Sequence, residues 1–311
     1  MRYVIVGAGA IGAAMGGLLA EAGREVVLVA RGLHLAVLRA DGLHLSTPER
    51  GLHLRLPAVP LDELSVEKGD VLVLAVKSQQ TAAVLAHLAG APAPIVSAQN
   101  GISNEDEALR YFDEVHGICV NVPASHLEPG NAEASGSPLS GVLRFGRFPY
   151  GLTELDHAMA ADLAAAGFGT ETSEDVMAWK RAKLLSNLGN ALEVLLPQDD
   201  EAGAQQVQDA AAEEGQRCFA AAGLSLTSDD DYAAAIAGRY HSAPIDGRER
   251  QGGSTWQSVE RGQGSVETDF LNGEVVRLGR RHGVATPVNA RIQAAMRRLD
   301  GTTCTPADLL G

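Results

Sequence analysis

The chain has 311 residues, 45% of them apolar and 21% charged, which is the balance of a globular protein with room for two domains. Its 25 lysines and arginines face 39 acids, and a net formal charge of −14 argues against nucleic acid or anionic membrane as partners. The three cysteines (Cys119, Cys218, Cys304) are scattered and lack metal-ligand spacing, no apolar run reaches the roughly 18 residues of a membrane span, and glycines break "MRYVIVGAGAIG" before any signal-peptide core, so a cytoplasmic chain with free thiols is expected.

The first 170 residues alternate short aliphatic runs with helical patterns. Strands are predicted at 2–7, 25–30, 70–76, 94–98, 115–122 and 140–146, and helices at 10–22, 33–40, 78–89, 104–112 and 152–166. Uniformly apolar, β-branched strands separated by helices predict a mostly parallel sheet covered on both faces. Residues 43–59 alternate around central turn residues and read as a hairpin or a meandering insertion. "GLHL" occurs at 32–35, 42–45 and 51–54, without the fixed period of a repeat array, and reads as coincidence in Leu-rich strands. From about residue 174 the apolar runs become long and helical (175–196, 203–223, 229–238, 265–282, 287–298) and strands are no longer expected. The fold class is therefore α/β: a Rossmann-like domain over 1–173, then an all-helical domain over 174–311.

"VIVGAGAIG" places Gly7, Gly9 and Gly12 directly after the first strand and at the start of a helix. The first glycine permits a tight turn, the second lets backbone approach a pyrophosphate, and the third allows close helix–strand packing. Ala10 and Ile11 open that helix, where N–H groups without intrahelical partners favour phosphate. At the end of the second strand an NAD-binding chain usually carries an acid, but here Ala30 precedes Arg31. A guanidinium suits the 2′-phosphate of NADP, the alternative being an ordinary solvated arginine. Lys77 ends another parallel strand and offers a second positive charge. Asn100 sits at the next strand end, able to meet the nicotinamide ribose or the substrate, unless Asn100–Gly101 is only a turn.

In "KLLSNLGN", a helix would set Lys183, Asn187 and Asn190 at i, i+4 and i+7, on one face, with Leu184, Leu185 and Leu188 free to pack elsewhere. Gly189 costs up to about 1 kcal/mol of helix propensity against alanine, which implies that something approaches the backbone there. Downstream, Ser254 and Thr255 offer hydroxyls, and Glu267 starts another helix, where it could equally be a dipole-stabilised first-turn acid.

Six segments, in this order, carry a resemblance that spans almost the whole chain: "VGAGAIG", "VARGLHLAVLRADGL", "LAVKSQQT", "QNGISNED", "WKRAKLLSNLGNA" and "VETDFLNGEVVRLGRRHGVATPVN". The chain resembles the ketopantoate reductase (2-dehydropantoate 2-reductase) family, and order and spacing together are more specific than any single motif. The resemblance implies reduction of a 2-oxo acid by NADPH, between a Rossmann domain and a helical domain of the 6-phosphogluconate dehydrogenase type. It implies that Lys183 is the catalytic lysine, that Asn187 and Glu267 contact substrate, and that Asn100 lies near the reacting carbonyl. Arg31 and Lys77 fall on contacts to the cofactor 2′-phosphate, and Thr255 replaces a substrate-binding serine. Two positions depart from the family pattern. Ala191 stands where the best-known members have a further asparagine, with Asn190 one residue early, and Gly252 replaces an asparagine three residues before the hydroxyl. The expected partner is a small 2-oxo acid, with a homodimer left open. The rival readings are a related NADP-dependent reductase or dehydrogenase for another 2-oxo acid, a non-enzymatic NADP sensor, and a structural protein on a degenerate fold.

Overall fold

A computed structural model describes residues 1–249, 252–253, 255–256, 267–298 and 303–311. The chain divides into two units: Met1–Gln99, Asn104–Met177 and Ala233–Arg250 form the first, and Asn100–Ser103, Ala178–Tyr232 and Gln251–Gly311 the second.

The first unit is built on strands β1 (Arg2–Val6), β2 (Glu25–Val29), β5 (Ala58–Val59), β6 (Asp70–Leu74), β7 (Ile95–Ser97), β8 (Val115–Asn121), β12 (Val142–Arg147) and β13 (Gly169–Thr172), arranged β13-β12-β8-β7-β6-β1-β2-β5. Every neighbouring pair is parallel except β12 with β8. Alternation sorts the side chains to two buried faces: Tyr3, Ile5, Val71 and Val73 to one core, Val4, Val6, Leu72 and Leu74 to the other. Helices α1 (Ala10–Glu21), α2 (Gly32–Ala40), α3 (Thr81–Leu88), α4 (Asn104–Ala108) and α5 (Glu154–Ala165) supply the crossovers and cover. The chain leaves β1 toward β2 and later returns to lay β6 on the other side, so the C-terminal ends of β1 and β6 flank the topological switch point.

The predicted strands and helices of this half form at nearly their predicted places. Residues 43–59 resolve into an antiparallel hairpin, β3 (Leu43–Ser46) with β4 (Gly51–Leu54), followed by β5 at the edge of the main sheet. The hairpin joins β10 (Asn131–Ala134) and β9 (Ala124–Ser125) in a second sheet. Those strands escaped the sequence reading because "PASHLEPGNAEASGSP" carries few β-branched residues; pairing with a neighbouring hairpin overrides weak propensity.

The expectation of no strand beyond residue 174 is corrected. β14 (Tyr240–Ser242) pairs antiparallel with β11 (Gly136–Pro138) and belongs to the first unit. Three residues give too short a run for periodicity to register.

The second unit packs α6 (Val176–Asn187), α7 (Leu192–Leu195), α8 (Glu201–Ala221), α9 (Asp229–Ile236), α10 (Asn272–His282), α11 (Pro287–Arg298) and α12 (Pro306–Leu310), with α6 beginning and α9 ending across the division. Leu184, Leu185, Leu188, Val207, Phe219, Val275 and Ile292 form its core. Each such side chain contributes about 1.5–3 kcal/mol by leaving water. The predicted helix 175–196 is two helices, because the backbone turns at 188–191. Among the described residues no helix is long and apolar enough to cross a membrane.

Candidate nucleotide and substrate sites

Gly7 follows β1 at φ +107°, and a Cβ there would meet the Val76 nitrogen at 2.8 Å, so the turn requires glycine. Its N–H and that of Ala8 both donate to the Val29 carbonyl at 3.1 Å, which fixes the loop against β2. At Gly12 a Cβ would stand 2.0 Å from the Gly7 carbonyl oxygen, the close helix–strand packing the motif predicts. Gly9 is different: a Cβ there would meet nothing within 4 Å. Gly9 is also the N-cap of α1, with no side chain capping the helix. Open space in front of an uncapped N-terminus, where Ala10 and Ile11 begin the helix, is the cradle a pyrophosphate fits.

Arg31 is exposed and is the N-cap of α2, two residues past β2. Lys77 is half-buried, three residues past β6. A buried amide and hydroxyl network fixes the loop that bears it. The Gln99 amide donates to the Val76 carbonyl and to Thr81 Oγ1, both at 2.8 Å; Thr81 donates to Asn104 Oδ1 at 2.9 Å, and the Asn104 amide donates to Ser78 Oγ at 3.2 Å. His34, absent from the sequence reading, holds the Ala8 carbonyl of the glycine loop at 2.7 Å. Asn100 follows β7 by three residues and precedes Gly101, where the chain bends at φ +82°.

In the second unit Lys183 and Asn187 lie one turn apart on α6, both half-buried. The Asn187 amide nitrogen is buried without a hydrogen-bond partner among the described residues. An orphaned buried donor costs about 1–3 kcal/mol, and a ligand oxygen would satisfy it. Asn190 does not share the helical face expected of it. α6 ends at Asn187, and Asn190 lies in the following turn, its N–H donating to the Asn187 carbonyl at 3.1 Å. Glu267 is buried at the start of a 3-10 turn (Glu267–Phe270), and Thr255 is buried as well. Ser254 lies outside the described residues.

The turn at 188–191 has identifiable supports. The Gln208 amide, from α8, donates to the Leu185 carbonyl at 2.8 Å, and the Asn272 amide donates to the Leu188 carbonyl at 3.0 Å. Asn272 also reaches Asn289 Oδ1, and Asn289 joins the buried Glu214 carboxylate, which accepts the Val288 and Asn289 N–H groups at the start of α11. A Cβ on Gly189 would fall 2.0 Å from Gln208 Oε1, which identifies what approaches the backbone there. These amides are invisible to pattern reading because each sits in an ordinary polar helix position. A cavity of about 790 Å³ also opens in this unit. Its lining includes Glu193, Asp200, Glu201 and Trp256 but none of Lys183, Asn187, Asn190 or Glu267, and its acids would repel an anionic substrate.

Residues 3–150 match the family model "Ketopantoate reductase PanE/ApbA", and residues 175–300 match its C-terminal counterpart. A 2-dehydropantoate 2-reductase of Pyrococcus abyssi is 28% identical over 300 residues, covering 93% of this chain and 94% of that protein. The crystal structure of a PanE/ApbA family ketopantoate reductase from Ralstonia eutropha JMP134 is 30% identical, with a TM-score of 0.77 over 96% of this chain and 98% of that one. D-mandelate dehydrogenase, solved with NADH and anilino(oxo)acetate, is 20% identical with a TM-score of 0.82 over 96% of this chain and 97% of that one, a likeness of fold.

Proposed function

The chain belongs to the ketopantoate reductase PanE/ApbA family, and on that premise we propose that it reduces 2-dehydropantoate to pantoate with NADPH, Lys183 acting as general acid. As a member of that family it is an oxidoreductase acting on a CH–OH/C=O group. The observation that carries the finer reading is a lysine and an orphaned buried amide donor one turn apart on α6. We assign residues 1–173 chiefly to the nucleotide and 174–311 chiefly to the substrate, with Ala233–Arg250 joining the first unit and Asn100–Ser103 the second. The thiols of Cys119, Cys218 and Cys304 are all free, which supports a reducing, cytoplasmic setting.

When bound, NADPH supplies the hydride for the keto carbon. The glycine cradle and the first N–H groups of α1 take the pyrophosphate, while Arg31 and Lys77 take the 2′-phosphate. The Lys183 ammonium stabilises the negative charge that grows on the substrate oxygen and donates its proton there, and such help is worth about 10²–10⁴-fold. Glu267 holds a substrate hydroxyl and orients the lysine. Asn187, Asn100 and Thr255 line the substrate without adding charge, and Asn190 borders it from the turn.

The test follows NADPH absorbance on addition of ketopantoate, with NADH in parallel. Lys183→Ala is expected to lower kcat by about 10²-fold or more while NADPH binding survives. Near-normal turnover in that variant would remove the assignment.

A second reading, the same chemistry on a different 2-oxo acid, is favoured by two positions. Ala191 is buried in the leucine core, so no side chain at 191 reaches a ligand. Gly252 has φ +57°, and a Cβ there would lie 2.5 Å from the Trp256 ring, so a side chain at 252 would have to displace that ring. Comparing ketopantoate with a panel of 2-oxo acids separates the two readings.

A further inference from the structure

Two of the three "GLHL" segments meet in space. They form β3 and β4, and the hairpin register sets His44 directly opposite His53, with the rings stacked 4.2 Å apart and 12° from parallel. Asp41, just past the end of α2, reaches the Nε2 edge of both rings. Its Oδ2 is 2.8 Å from His44 Nε2; its Oδ1 is 3.5 Å and its carbonyl oxygen 2.5 Å from His53 Nε2. One donor atom from each of the three side chains falls within 4.8 Å of the others. The third segment takes no part, since His34 serves the glycine loop.

We propose that Asp41, His44 and His53 form a binding site for a first-row divalent transition-metal ion, Zn²⁺ foremost. Imidazole nitrogens with one carboxylate suit zinc, copper and nickel, and hard ions such as Mg²⁺ and Ca²⁺ prefer all-oxygen sets. Two ligands about 2.1 Å from a tetrahedral zinc stand roughly 3.4 Å apart; the His53–Asp41 separation of 3.5 Å is close to that, the His44–Asp41 contact of 2.8 Å would open by about half an ångström, and all three donor atoms already lie within 4.8 Å of one another. The site uses three protein ligands and leaves a coordination position open to water. The imidazole rings are 42% and 45% exposed, so an ion reaches them from solvent. Binding requires each Nε2 lone pair, so a neutral ring shifts its proton to Nδ1 and a charged ring releases one; protons therefore compete with the metal. Arg55, which donates to the Ala40 carbonyl, is the nearby opposing charge. A bound ion would staple the end of α2 to the hairpin.

The experiment is calorimetric titration of the untagged full chain with Zn²⁺ and Ni²⁺, with Mg²⁺ as control, alongside His44→Ala, His53→Ala and Asp41→Asn. The expected result is one ion per chain, no Mg²⁺ binding, and a weakening in each variant of at least the ten-fold or so that losing a mere outer-sphere partner costs. Melting temperatures without metal check that the variants fold, and reductase turnover should be unchanged in all three. Zinc and nickel isotherms that persist unaltered in a folded His44→Ala/His53→Ala double variant, or the absence of binding by the parent chain, overturn the proposal.

Discussion

His34 Nε2 lies 2.7 Å from the Ala8 carbonyl oxygen, while the same ring's Nδ1 accepts the Gly130 N–H at 2.9 Å. Because Nδ1 accepts, the proton of the neutral imidazole belongs on Nε2, and the backbone on both sides fixes that tautomer. His34 thus ties the glycine loop to the turn before β10 that carries Gly130. Losing the Ala8 bond costs about 1 kcal/mol, so His34→Ala should raise the KM for NADPH about five-fold with kcat little changed. An unchanged KM would show that the loop holds its shape unaided. Burial pushes the His34 imidazole below its ordinary value, so on acidification the unfolded chain takes up the proton first. Its stabilising contribution is complete above pH of about 6.5 and is lost as pH falls through the lower folded value. The melting temperature of the parent should therefore fall toward, or below, that of His34→Gln on acidification.

The Gln208–Gly189 contact predicts a coupling. Gly189→Ala would push the Gln208 carboxamide aside, since its Oε1 occupies the place of the new methyl, and with it the bond to Leu185. The expected loss is about 1 kcal/mol. In a Gln208→Ala background the obstruction and the bond are both gone, and Gly189→Ala should be neutral or stabilising by up to about 1 kcal/mol through a less flexible unfolded chain. Urea midpoints of the four proteins measure the cycle. Additive effects would mean that the two residues do not sense each other.

How much of this was legible in the sequence depended on the length scale of the signal. The glycine motif was legible because each glycine answers a local demand: Gly7 a positive φ, Gly12 a backbone contact, Gly9 an open approach. Long helices and the aliphatic strands of the parallel sheet were legible because periodicity accumulates over many residues. The break in α6 was not, although Gly189 marked it. Propensity at one glycine cannot distinguish a crowded helix from a helix that ends, and the groups that stabilise the end, Gln208 and Asn272, come from 23 and 84 residues away. Asn190 was misplaced for that reason. The GLHL histidines show the same limit, because only the hairpin register reveals that His44 and His53 are partners.

Gly9 and Gly12 share one motif yet should fail differently when each is replaced by alanine. At Gly12 the new methyl would collide with the Gly7 carbonyl at 2.0 Å and crowd Ile5 Cγ2 at 2.9 Å, atoms of the loop and of the central strand that cannot swing away. Such overpacking typically costs about 1–3 kcal/mol, so Gly12→Ala should lower the denaturant midpoint and weaken nucleotide binding together. At Gly9 the methyl meets only open space, and φ of −77° is comfortable for alanine, so stability should stay within about 0.5 kcal/mol of the parent. Nucleotide binding should nonetheless weaken about ten-fold, or about 1.4 kcal/mol, if the methyl occupies the space proposed for the pyrophosphate. Chemical denaturation and fluorescence titration with NADPH read the two quantities separately. If Gly9→Ala bound NADPH as tightly as the parent, the open space before α1 could not be the pyrophosphate site, and the nucleotide would have to enter elsewhere along the switch point.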